Sequence, residues 1–188
     1  MLPLQDIKVL DVSQIMAGPY CTMVLADMGA EVIKVEKLNG GDDSRQMGPY
    51  VNGESTCFSQ INRNKKSISL NLKDERARQI FYRLAADADV IVENYRPGVT
   101  KSLEIDYDTI KAINPGIVYC SISGYGQTGP YSHKGGFDLV AQGMTGLMSM
   151  TGEEGKRPLK TGIAVYDIGG GLTAVYSILA ACIHKMKT

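Results

Sequence analysis

Three stretches decide the fold: Ile7-Lys8-Val9-Leu10-Asp11-Val12, Ser13-Gln14-Ile15-Met16-Ala17-Gly18-Pro19, and Glu31-Val32-Ile33-Lys34-Val35-Glu36. The first is a short apolar run that reads as a buried strand. The second is a loop whose Pro19 fits the first turn of a helix, because proline lacks the N–H that a first turn leaves unpaired anyway. That helix runs to about Met28, with Gly29 as its stop. The third stretch alternates apolar and charged residues and reads as a second strand. A β-α-β opening implies a parallel pair joined by a right-handed crossover.

The same alternation continues along the chain. Ser67 to Leu72 reads as a strand, Asp74 to Ala86 as a helix with apolar spacing at Ala77, Ile80, Phe81, Leu84 and Ala85, and Val90 to Asn94 as a strand. Tyr107 to Ile113 reads as a short helix stopped by Asn114-Pro115-Gly116, Ile117 to Ser123 as another buried strand, and Phe137 to Met144 as a helix. Two glycine-rich stretches, Lys37 to Ser55 and Gly124 to Gly136, read as long loops, which in compact domains usually carry function. The expectation is an α/β fold: a Rossmann-like open, mostly parallel sheet with helices on both faces, ending in the helix that carries Asp167. Ligands of such sheets bind at the strand carboxyl ends.

A dinucleotide site is disfavoured by the first turn. It holds one glycine instead of three, and Pro19 removes an N–H that a pyrophosphate would use. Composition narrows the class further. The 20 basic and 20 acidic residues cancel, so no single-signed field invites nucleic acid or an anionic membrane. Cys21, Cys57, Cys120 and Cys182 show no metal-ligand spacing, and only two histidines, His133 and His184, are present; no metal site is expected. Unpaired thiols and the lack of a basic, apolar leader in Met1 to Asp6 suit a cytoplasmic protein.

The stretch Lys160-Thr161-Gly162-Ile163-Ala164-Val165-Tyr166-Asp167-Ile168-Gly169-Gly170-Gly171 precedes the apolar run Leu172 to Ile183. It places one carboxylate where an extended segment meets a helix start. Unpaired N–H groups and the partial positive charge there are expected to keep an acid ionised. Read one way, Asp167 is a nucleophile made accessible by three glycines; read the other way, it is an N-cap. The run after it is too short to span a bilayer and apolar around most of its circumference. Such a helix needs cover from a partner subunit or from further chain.

Taken together, several motifs in register resemble the class III coenzyme A transferases, the CaiB/BaiF family, over essentially the whole chain. They are Met16-Ala17-Gly18-Pro19, Glu36-Lys37 with Asp42, Asn62-Arg63-Asn64-Lys65-Lys66-Ser67, Val92-Glu93-Asn94-Tyr95-Arg96-Pro97-Gly98, Ser123-Gly124-Tyr125-Gly126-Gln127-Thr128-Gly129-Pro130, Gly136-Phe137-Asp138, and Asp167-Ile168-Gly169-Gly170-Gly171. Family members are about twice as long. The resemblance therefore implies that residues 1–188 are the N-terminal part of a large CoA-binding domain, without the smaller domain and the C-terminal return segment. It implies an interlocked homodimer for the full-length protein.

The resemblance also implies roles. Asp167 aligns with the aspartate that attacks the donor acyl-CoA, giving an anhydride and then an aspartyl-CoA thioester, before a small carboxylic acid reverses the sequence. Coenzyme A is then a substrate, and no tightly bound cofactor is expected. CoA contacts fall on Ile15, Met16, Lys37, Leu70, Lys73, Asn94, Tyr95 and Lys134. Lys37 and Lys73 suit phosphates, and Tyr95 suits the adenine or pantetheine arm. Many relatives carry glutamine in place of Met16 and arginine in place of Ser102. Racemases of the same fold use a histidine within Gly-His-Asp; the equivalent triplet here is Gly136-Phe137-Asp138, and phenylalanine relays no proton. This favours a transferase over a racemase; a CoA-binding module without activity is the third reading.

Overall fold

The computed structural model describes residues Met1–Thr188. Five parallel strands form the sheet: β1 (Lys8–Asp11), β2 (Glu31–Glu36), β5 (Lys65–Ser69), β6 (Val90–Glu93) and β7 (Val118–Ser121), in the spatial order β5-β2-β1-β6-β7. The chain moves outward from β1 to β5, then returns to the other side of β1 with β6. Loops after β1 and β6 therefore face each other at the reversal of order, where doubly wound sheets place their ligands.

Strand periodicity sends alternate residues to opposite faces. Val9, Val32, Val90 and Val92 pack under α1 (Ala17–Asp27) and α7 (Val165–Lys187), against Cys21, Leu25, Ala174, Val175, Ile178 and Cys182. On the other face, Leu10, Val12, Val35 and Ile91 pack with Phe81 and Ala85 of α3 (Glu75–Asp87) and Ile110 of α5 (Tyr107–Ile113). Fully burying one such side chain contributes roughly 1.5–3 kcal/mol, so two continuous layers suffice to hold the sheet.

Helix starts follow capping chemistry. The Asp74 carboxylate accepts from the N–H groups of Arg76 and Ala77, and Asp106 accepts from Thr109. Gly29, with φ +105°, ends the first helix, as its sequence position indicated.

Three boundaries depart from the sequence reading. The third strand of the sheet starts at Lys65 instead of Ser67, because it is fixed by pairing to β2 in the register Val32–Lys65 to Glu36–Ser69. The stretch read as one loop from Lys37 holds a 3₁₀ turn at Asp43–Gln46 and a hairpin, β3 (Tyr50–Val51) with β4 (Glu54–Ser55). It leads into α2 (Thr56–Asn62), capped by Ser55 accepting from the Phe58 N–H. Finally, α7 is 23 residues, a length and composition that would fit a membrane span. It nevertheless buries one stripe, Gly171, Ala174, Val175, Ile178 and Cys182, against α1 and the sheet. Leu172, Tyr176, Ile183 and Met186 on its remaining circumference are exposed.

Candidate active site

All five strands run the same way, so the segments leaving their carboxyl ends gather on one edge. Two adjoining clefts open there. The smaller, about 210 Å³, lies between the segments after β1, β2 and β5 and is lined by Ser13, Lys37, Asp42, Leu70, Lys73 and Tyr95, among others. The larger, about 550 Å³, lies between the segments after β1, β6 and β7 and the start of α7; Ile15, Met16, Asn94, Arg96, Lys134 and Asp167 are in its wall. Gln14 and Tyr95 belong to both, so the two form one trough.

The floor of this trough is a buried polar network. Lys34 Nζ donates to the Ser13 carbonyl at 2.8 Å and pairs with Asp42 at 2.8 Å, with Asp11 3.8 Å away. Lys65 Nζ reaches Asp11 at 3.0 Å, the Pro19 carbonyl at 2.9 Å and Asn62 Oδ1 at 2.8 Å. Asp11 also accepts from the Ser13 N–H and from the hydroxyls of Ser13 and Thr22. Burial by itself would raise the Asp11 carboxyl, but Lys34, Lys65 and the two hydroxyls hold it at about 2. Burial pushes Lys65 down to about 8 against the pull of Asp11. Two cations and two anions thus neutralise each other with no buried side-chain nitrogen or oxygen left without a partner, the condition a buried network must meet. Glu36, hydrogen-bonded by Arg45, Ser67 and the Asp42 N–H, ties the following loop to the same floor.

This network pins the loop after β1 residue by residue. Asp11 holds Ser13. Asn94 holds Gln14 twice, accepting from its N–H and donating to its carbonyl, both at 2.8 Å. Asp42 accepts from the Ile15 N–H at 3.0 Å. Ile15 has φ +68°, a left-handed conformation that a β-branched residue adopts only under constraint. Gly18 is required beyond it, since a Cβ there would lie 2.2 Å from the Ser13 Cβ.

Asp167 is the third residue of α7 and half-buried. It is not the cap. Asp138, the first residue of α6 (Asp138–Met144), accepts from the Tyr166 N–H at 2.7 Å and from the Asp167 N–H at 3.4 Å. Gln142, itself buried, donates to Asp138 and accepts from the Thr161 N–H, joining α6, the preceding segment and the helix start. The expectation that a helix terminus keeps the acid low also needs correction. Burial first, and the Asp138 charge second, push the Asp167 carboxyl above the ordinary range.

The three glycines divide. A Cβ at Gly169 or Gly170 would meet nothing within 4 Å, and Gly170 lines the larger cleft. Gly171 instead faces α1, 2.7 Å from the Ala17 carbonyl when a Cβ is placed on it. Across the cleft, the loop from Gly124 to Gly136 is closed at its base: a Cβ on Gly124 would lie 2.4 Å from the Gly136 Cα, and one on Gly136 2.5 Å from the Gly124 Cα.

Every residue singled out from the sequence lines one of the two clefts, though not all present free groups. Asp167, Ile15, Met16, Asn94 and Lys134 line the larger, Lys37, Leu70 and Lys73 the smaller, and Tyr95 both. The Asn94 amide is fully engaged by Gln14, so here it acts on the loop. Lys37 pairs with Asp43 at the surface, Lys134 lies 4.0 Å over the Tyr131 ring, and the Met16 N–H is taken by the Gln14 carbonyl. Burial, then Glu93, pushes the Tyr95 phenol up to about 12.

Sequence reading missed Lys34, Lys65 and Gln142, and gave Arg96 no role in the site. Strand register reveals Lys34, which stands opposite Asp11 on the adjacent strand, whereas Lys65 reaches Asp11 with its side chain from β5, one strand further out. Asn52-Gly53, at φ +51° and +83°, was a legible hairpin signal.

Comparison with known proteins places the chain in a family. Residues 4–188 match the model of CoA-transferase family III. The chain is 49% identical to a mouse succinyl-CoA:glutarate CoA-transferase over 100% of its own length and 43% of that protein's. It is 41% identical to an acetyl-CoA:oxalate CoA-transferase from Acetobacter aceti, over 99% and 48%. It thus spans about half the length of the curated relatives it matches. A crystal structure of a CaiB/BaiF family protein from Brucella suis superposes with a TM-score of 0.95 at 42% identity, covering 99% of this chain and 50% of that one. A hypothetical protein from Mycobacterium tuberculosis gives 0.92 at 36%, covering 100% and 52%. With the match from residue 4 to 188 and the superposition on a CaiB/BaiF structure in agreement, this chain belongs to CoA-transferase family III.

Proposed function

We propose that the protein, at its full natural length, moves coenzyme A from an acyl-CoA to a carboxylic acid, with Asp167 as the nucleophile. One observation carries this reading: the half-buried Asp167 carboxylate lies in a cleft that continues, past Gln14 and Tyr95, into the cleft of Lys37 and Lys73. A long thioester can lie along that path, with its phosphates at the lysines and its acyl carbon at the acid.

The bond changes balance without another reactant. An Asp167 oxygen attacks the thioester carbonyl carbon, expelling CoA thiolate and forming a mixed anhydride. The thiolate attacks the Asp167 carbonyl carbon, releasing the donor as a carboxylate and leaving an aspartyl-CoA thioester. The acceptor carboxylate attacks that carbon and frees the thiolate. The thiolate then takes the acceptor acyl group and regenerates Asp167. Leu70 offers an apolar wall at the nucleotide end, Ile15, Met16 and Tyr95 flank the pantetheine path, and Asn94 holds the loop that carries Ile15 and Met16. Arg96 and Lys134 bring positive charge to the reacting end. Anhydride and thioester both hydrolyse, so water must be kept out. A smaller domain, a return segment and an interlocked second subunit would supply that cover and the cover for the exposed face of α7.

Succinyl-CoA, glutarate and oxalate, in the relatives' names, are short dicarboxylic acids or their thioesters, and this substrate class is the first to try. The four free cysteines suit a reducing compartment such as the cytoplasm. The test uses full-length protein incubated with succinyl-CoA, digested and weighed by mass spectrometry. A CoA adduct on the peptide carrying Asp167 is expected, and Asp167→Ala should abolish adduct and turnover while CoA still binds. Turnover retained by Asp167→Ala would refute the assignment.

A further inference from the structure

The carboxylate of Asp42 stands in the smaller cleft, whereas the backbone N–H it holds, that of Ile15, belongs to the larger one. Its side chain is almost completely buried and its contacts are many: Lys34 Nζ at 2.8 Å, the Ser44 N–H at 2.9 Å, the Ser44 hydroxyl at 2.8 Å, and the Ile15 N–H at 3.0 Å from one oxygen and 3.3 Å from the other. Its own N–H donates to Glu36 Oε2 at 2.8 Å. It is therefore anchored independently of the loop it grips.

What it grips is the one strained residue of that loop, Ile15 at φ +68°. A left-handed isoleucine places its Cβ against the neighbouring carbonyl and relaxes to negative φ unless held. Relaxation would rotate the peptide into Met16 and shift the start of α1, where Met16 and Ala17 form the cleft wall beside Asp167. Helix geometry leaves the N–H groups of Ala17 and Gly18 without intrahelical acceptors, so their aim is chemically useful near a developing oxyanion.

We propose that Asp42 is a positioning residue for the transfer, its carboxylate holding Ile15 in the left-handed conformation that sets Met16 and the first N–H groups of α1 against the reacting thioester. The proposal rests on the transferase reading and adds that the wall opposite Asp167 is held under constraint from the nucleotide end. A displacement of order 1 Å at such a wall costs roughly 100-fold in rate while altering affinity little.

The test is a double-mutant cycle in the full-length protein with Asp42→Ala, which removes the acceptor, and Ile15→Gly, read as kcat and KM for succinyl-CoA transfer, with a thermal midpoint for each variant. Glycine adopts positive φ without the Cβ penalty, so Ile15→Gly removes the need for the lock. Asp42→Ala alone should lower kcat by about 10- to 100-fold with KM changed less than about threefold. In the I15G background the same substitution should lower kcat less than about threefold. An equal kcat loss in both backgrounds, or a loss confined to KM, would overturn the proposal and leave Asp42 as a partner of Lys34 only. Failure of the transferase reading is separately visible, since the unsubstituted protein would then form no CoA adduct on the Asp167 peptide.

Discussion

Adjacent glycines in α7 should respond to the same substitution with opposite signs. An alanine Cβ at Gly170 meets nothing within 4 Å, so Gly170→Ala changes only backbone freedom. Glycine inside a helix costs about 1 kcal/mol relative to alanine, and Gly170→Ala should recover roughly 0.5–1 kcal/mol. At Gly171 the same atom lands 2.7 Å from the Ala17 carbonyl oxygen and 3.0 Å from the Tyr20 ring. The oxygen belongs to the backbone of α1, so relief requires the two helices to part by roughly half an ångström across a packed core, an overpacking cost of about 1–3 kcal/mol. Subtracting the same propensity gain leaves Gly171→Ala destabilised by about 1 kcal/mol, and about 2 kcal/mol below Gly170→Ala. Equilibrium urea unfolding measures the difference directly. In a thermal melt of a domain of this size, Gly170→Ala should rise by about 2 °C and Gly171→Ala fall by about 2–4 °C. Equal stabilisation of both variants would refute the reasoning, because it would mean that α1 and α7 do not touch through Gly171.

Two pH dependences follow from the buried carboxyls. Asp11, held at about 2 in the fold against an ordinary 3.8, is a depressed acid, so its contribution is complete above the unfolded value and disappears as pH falls through the folded one. About 2 kcal/mol should be lost between pH 4 and pH 2, and Asp11→Asn should flatten that part of the urea-unfolding profile. Asp167 has the opposite sign. Burial and then Asp138 raise it, and it must be ionised to attack, so kcat/KM should fall with decreasing pH at a value above that of a free aspartate. Asp138→Asn removes the second cause and should move this acid limb to lower pH; an unmoved limb would show that Asp138 is not felt at Asp167.

Much of the sheet was legible because parallel strands are buried on both faces and so read as short apolar runs, as Val9-Leu10 and Val90-Ile91-Val92 do. Helix ends at Asp74 and Gly29 were legible for local reasons, a side chain or a missing one acting within a few residues. Lys34 was not: in an alternating strand a lysine reads as a solvent-facing residue, and it is 1% exposed here because Asp11 from the neighbouring strand and Asp42 from the following loop arrive beside it. For Asp167, the segment could be found but its electrostatics could not. Helix-end reasoning sees the first turn, whereas what raises its carboxyl is burial first and then Asp138, supplied by another helix. The cap of α7 was missed for the same reason, since a cap is usually sought one residue before the helix and this one comes from α6.

The backbone crossing of Gly124 and Gly136 separates two responsibilities within one surface segment. Of the intervening residues, those from Gly126 to His133 stand outside the wall of the larger cleft, and a change of length or sequence there should leave the strand of chain toward Asp138 departing from the same point. A single methyl group at either crossing residue would do what a ten-residue graft would not: push the exit aside, and with it the acid that caps the last helix.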